Sequence, residues 1–192
     1  MHGPVSAAWL VVAVCAGSGA YCLLRMRSAV PGQRHTAGGD ALMGLGMAAM
    51  AVPAAVLTPP RQAWLACAAV FAAAALHAAW SARRDHRHLH HLIGSCAMVY
   101  MSAVMASMPP MPDAHTGHGG AGTPALTGPL LLYFAGYALW AGVRLLPAAA
   151  PVAAVPVRAG STPAPAWTDR PELARACRLC MSVGMLAMLL AM

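Results

Sequence analysis

Lysine is absent from this chain, acidic residues number five, and charged residues of all kinds make up only 9% of it. A soluble domain carries about a quarter charged residues, so the shortage excludes an ordinary water-exposed surface. Also missing are a Ser/His/Asp constellation, a glycine-rich phosphate loop, a dinucleotide fingerprint and paired carboxylates inside an apolar run. Enzymatic activity is therefore not expected. All twelve cations are arginine and the formal net charge is +7, yet the arginines sit singly or in short groups beside apolar runs. That distribution suits orientation in a bilayer better than a nucleic-acid surface. What the chain does have is apolar bulk, at 59% hydrophobic residues, and fourteen methionines.

A spanning helix needs about 20 mostly apolar residues to cross roughly 30 Å of hydrocarbon. Six segments meet or approach that length: Val5 to Leu24, Ala41 to Leu57, Ala63 to Ala82, Leu92 to Met108, Leu130 to Leu146 and Ala174 to Met192. The expected fold is an all-α integral membrane bundle of six transmembrane helices in a single domain. The first span is followed, not preceded, by Arg25 and Arg27, the reverse of a secretory signal, and is expected to remain as a helix. Eleven arginines fall in segments on one side and only Arg61 on the other, so positive residues inside put both termini outside, in a multi-pass plasma-membrane topology. Residues 109–127 form an outer loop carrying Met and His, and residues 147–171 an Ala/Pro-rich cytoplasmic linker without assigned chemistry.

The second, fourth and sixth spans share a spacing: Asp40, Met43, Met47, Met50; His91, Gly94, Met98, Met101; Arg178, Met181, Met185, Met188. Four residues further on stand Ala54, Met105 and Met192. Offsets of 0, 3, 7, 10 and 14 are heptad a and d positions, so each series lies along one helical face. The pattern reads as three repeated helical hairpins, each pairing a plain helix with a methionine-striped one. With the striped helices parallel, the expected layers are Met43 with Met181, Met47 with Met98 and Met185, Met50 with Met101 and Met188, and Met105 with Met192. Methionine fills gaps adaptably, so a packing seam accounts for the spacing too. The first, third and fifth spans, however, pack without methionine. Neutral, soft thioethers select Cu(I), need lose no proton to bind it, and in stacked layers would let a monovalent ion move from site to site.

At the outer end, Met105, Met108, Met111, His115 and His118 could collect copper, with Met192 and His2 approaching them. At the inner end, His86, His88, His90 and His91 form a dense run, and His35, Asp40 and the Cys177-x2-Cys180 pair lie at the same level. Imidazoles and thiolates there could accept the ion, or the run could anchor the chain to lipid headgroups. His77, inside the third span, is expected to face the bundle and meet Asp40 or His91. It is read as an inner ligand, as a haem ligand opposite His90 or His91, or as an interhelical hydrogen-bonding residue. Cys15 and Cys22 are read as apolar fillers, and Cys67 and Cys96 as inert buried thiols.

The striped spans, the HHLIGSCAMVYM segment and the histidine-bearing outer loop resemble an actinobacterial domain-of-unknown-function family of Met/His-rich polytopic membrane proteins. That resemblance implies the architecture and leaves activity open. Members look to prefer histidine at the head of each stripe, whereas here Asp40 and Arg178 take two of the three places. Met43-x3-Met47 and Met181-x3-Met185 are also similar to the Met-x3-Met of eukaryotic high-affinity copper transporters, a likeness of motif alone. The expectation is a Cu(I)-binding or Cu(I)-conducting membrane protein that exchanges copper with a donor or acceptor protein. A non-catalytic membrane scaffold with a methionine-packed core is the alternative, and a b-type haem protein a distant third.

Overall fold

A computed structural model describes residues 3–27, 31–53, 56–83, 89–108, 123–145 and 171–192. Six α-helices occupy them: α1 (Gly3–Arg25), α2 (Pro31–Met50), α3 (Arg61–Ala82), α4 (Leu89–Ser107), α5 (Pro124–Leu145) and α6 (Pro171–Ala191). No strand occurs among the described residues. Five helices, all but α2, are long and apolar enough to cross a membrane.

Proline sets several boundaries. α2, α5 and α6 each begin at a proline, whose fixed φ suits the first helical turn and whose missing N–H is no loss there. α2 begins ten residues before the expected span at Ala41 and ends at Met50 rather than Leu57. Hydropathy cannot see the polar turns from Pro31 to Asp40, and it reads through Pro53, which supplies no N–H to continue the ladder. α5 likewise starts at Pro124, before the Leu130 expected of it, and carries Pro129 inside. Residues 124–127, taken from sequence as loop, are therefore helix. The Thr123 carbonyl accepts from the Leu126 and Thr127 N–H groups, and the Thr123 N–H donates to the Tyr100 hydroxyl at 2.7 Å, tying the start of α5 to the outer part of α4. The 147–171 linker lies outside the described residues except for Pro171.

Sequence neighbours make the broadest contacts, α1 with α2, α3 with α4 and α5 with α6, while α1 also meets α6 and α2 meets both α4 and α6. Side chains complete the ring: Phe71 of α3 lies over Gly46 of α2, and Tyr133 and Tyr137 of α5 meet His90 of α4. α2, α4 and α6 thus lie inside, with α1, α3 and α5 around them. The exposures agree: 11% of the apolar stretch is buried in α3 and in α5, against 39% in α4 and 33% in α6. Leu76, Trp80, Leu132 and Leu139 point outward from α3 and α5, the pattern of helices whose solvent is hydrocarbon.

Each outer helix carries a pair of buried residues seven apart: Cys15 and Cys22 on α1, beside buried Gly19 and Arg25, Phe71 and Ala78 on α3, Phe134 and Ala141 on α5. In two of the three, the first of the pair sits against a glycine at one shared offset, six after the head of an inner stripe. Phe71 lies over Gly46, and Cys15 abuts Gly184. The third residue at this offset is Ala97, itself fully buried. α1 and α2 approach most closely at Gly19 and Gly44, where a Cβ on Gly44 would come within 2.9 Å of the Gly19 backbone. Small residues allow such crossings in a bilayer, where close van der Waals packing replaces the hydrophobic drive.

Candidate functional site

The heads of the three inner stripes meet. His91 Nε2 lies 3.3 Å from Asp40 Oδ1, and the Arg178 Nε–H donates to Asp40 Oδ2 at 3.4 Å. Asp40 is 1% exposed, so its carboxylate is held almost wholly by groups of the protein. A charge so buried needs partners within the protein, and here α6 supplies a guanidinium and α4 a protonatable imidazole to α2. Contact at offset zero sets the three helices to a common depth. The residues that follow at equal spacing then fall at similar levels, about 1.5 Å apart per residue.

Above this triad the methionines point inward. Met47, Met98 and Met185, one from each inner helix, are 0% exposed, and Met43, Met101 and Met181 join them in a single core cluster. The Met43 thioether packs on Gly94, the Met47 methyl on Gly184 and the Met98 methyl on Gly46, so each reaches the glycine of a neighbouring inner helix. Met50, Met188 and Met192 are half-buried against the cluster, Met105 is half-buried, and Met108 is exposed. Burial thus falls from the middle of the stripes toward the end away from the triad. Part of the cause is the early stop of α2. Past the Gly46–Phe71 contact α2 continues only four residues to Met50, whereas antiparallel α3 extends ten back to Arg61. The difference of six residues leaves α2 on the order of 9 Å short of its neighbour.

The inner-end residues separate into distinct environments. His77 is exposed on α3, with its neighbour Ala78 on the buried face, so it meets neither Asp40 nor His91. A polar residue near a helix end can remain outside when its tip reaches the interface, and that rule prevails here over the inward one. His90 turns to α5, stacked on Tyr137 at 3.9 Å between ring centroids with Nδ1 3.1 Å from the Tyr133 hydroxyl. His77 and His90 therefore do not frame a haem. Among the described residues, no three His, Cys, Asp or Glu side chains gather in a way that could hold a metal ion. Met111, His115, His118, His86, His88 and His2 lie outside the described residues, as does the side chain of His35.

Sequence reasoning missed one grouping. Cys177 is hydrogen-bonded to Cys22 of α1 and to Ser18, with buried Arg25 close to both thiols. Cys180 lies within electrostatic reach of Cys177 on one side and Cys15 on the other. Two of these thiols had been read as fillers. The signal was the shared interval of seven between Cys15 and Cys22 and between Gly184 and Cys177, but using it requires knowing that α1 and α6 pack. Cys96 is exposed and Cys67 half-buried, and neither joins the group.

These features define a class: an all-helical protein with five helices able to cross a membrane and a buried sulfur-rich core. The chain belongs to the family described as Domain of unknown function (DUF5134), whose model matches residues 32–192. No curated protein and no solved structure matches it.

Proposed function

We propose that this is a copper-handling integral membrane protein of the plasma membrane, in which α2, α4 and α6 supply thioether layers that hold Cu(I) and pass it along the bundle axis. One observation carries the reading. Among the fully buried methionines, Met47, Met98 and Met185 come one from each inner helix at the same offset from a triad that sets their depth. Three neutral soft donors at one level suit a soft monovalent cation and place no charge in hydrocarbon. Half-buried Met50, Met105, Met188 and Met192, beside the early end of α2, would lead to an outer entrance with exposed Met108 at its rim. The recurring seven-residue pairs on the outer helices support three repeated hairpins. With six helices crossing, both termini face outward, and an extracellular donor would meet Met111, His115 and His118 first.

A second reading has its own support. The seating of Met43, Met47 and Met98 against glycines is what a packing seam requires, and a membrane scaffold without metal would use it in the same way. The two readings part in one measurement, Cu(I) loading of the full-length protein under reducing conditions beside M47L/M98L/M185L. Leucine nearly preserves volume, at a cost below about 1.5 kcal/mol per site, so the variant should fold. The copper reading expects markedly less Cu(I) per chain in the variant. Equal loading would leave the layer as packing.

A further inference from the structure

The charged triad obstructs the inner end of the sulfur column. Arg178 and protonatable His91 converge on Asp40 directly below the Met43 and Met181 level, and a cation moving down the axis would meet a guanidinium. The thiols lie to one side, along the interface of α1 with α6. Cys15 Sγ and the Met47 methyl both abut Gly184, placing one thiol beside the most buried methionine layer. From there Cys180, Cys177 and Cys22 follow toward Arg25. The helices are antiparallel, and seven residues along α1 from Cys15 bring Cys22 as seven residues back along α6 from Gly184 bring Cys177. Both contacts therefore belong to a single register, spanning roughly 10 Å of helix.

We infer that Cys22 and Cys177 form a two-coordinate dithiolate site for Cu(I), reached from the methionine layers through Cys15 and Cys180 and bypassing the Asp40–His91–Arg178 triad. The inference rests on the copper reading for the identity of the ion and on the interhelical contact for the site. Thiolate is the strongest soft ligand a protein offers, and a d10 monovalent ion is satisfied by two such donors on opposite sides. Two thiols give up two protons as one Cu(I) enters, with no change of oxidation state. The resulting bis-thiolate carries one negative charge, and Arg25, 3% exposed, lies within electrostatic reach of both sulfurs. Exchange from thioether to thiolate also gives the path a downhill end, which a ladder of like methionines lacks.

The test uses the reduced full-length protein in detergent, loaded with Cu(I) from a competing chelator. The expected result is a thiolate-to-Cu(I) charge-transfer absorption at the first equivalent, with X-ray absorption reporting two short copper–sulfur bonds. Cys22→Ser/Cys177→Ser should abolish that band and lose about one equivalent of tightly held Cu(I). Cys67→Ser/Cys96→Ser should keep both. If the double variant does not fold, the wild-type spectrum decides alone, since a first equivalent without the band overturns the site. Survival of the band in Cys22→Ser/Cys177→Ser, or its loss in Cys67→Ser/Cys96→Ser, would overturn it as well. M47L/M98L/M185L separates the two readings. A band there with total loading equal to wild type ends the column and leaves the dithiolate standing.

Discussion

At Asp40, a carboxylate that water barely touches is met by the Arg178 guanidinium of α6 and the His91 imidazole of α4, and the two partners are unequal. Replacing Arg178 with methionine leaves the carboxylate facing His91 alone, which should cost about 3 kcal/mol, the low end for a broken buried pair because the guanidinium is a third exposed. Thermal unfolding in detergent measures it. Apolar replacement of all three members should recover most of that loss, since no orphaned charge then remains. A recovery would identify the triad as a device for register rather than for stability. The methionines around it were legible in the sequence because a 3-4-3-4 spacing is local information. His77 was not, since its direction depends on which face of α3 meets α4, and the sequence presents an almost uniformly apolar helix there.

Among the elements, α1 and α2 are held by the tightest backbone approach. Gly44→Ala would drive a methyl to within 2.9 Å of the Gly19 backbone, and because backbone cannot rotate aside the hairpin should lose about 1–3 kcal/mol. Gly136→Ala on α5 meets nothing within 4 Å and should leave stability unchanged or slightly raised. A parallel denaturation series on the two variants checks the contrast. Helix number and the approximate extents of five helices could be read from apolar runs, because span length is fixed by the thickness of hydrocarbon. The bounds of α2 could not. Its polar first half is helical only in the company of its neighbours, and its end is set by Pro53 inside a run that hydropathy treats as continuous. The thiol grouping was hidden for a related reason: Cys22 and Cys177 are 155 positions apart in the chain, and no local period connects them.

For the molecule as a whole, six crossings would place the two ends on one face. Reporters fused to either terminus should both signal from the exterior, and one inserted at residue 86, between α3 and α4, from the cytoplasm. Opposite signals from the two termini would mean that α2, the one helix too polar to qualify on its own, does not cross. On the proposed copper reading, the end of the bundle where α2 stops would be the entry side, and the arginine-rich end the side of the thiols.

The ion pair from Asp40 to Arg178 closes over 138 residues of chain. While the nascent polypeptide leaves the ribosome, α2 must wait with an unbalanced carboxylate through the synthesis of α3, and the Arg178 guanidinium arrives only with α6. A buried carboxylate without its partners is unfavourable, so α2 is expected to settle against α4 and α6 only once those helices have emerged. Assembly is thereby made to depend on the sixth helix, and a product cut short before it carries a ready-made mark for proteolytic quality control.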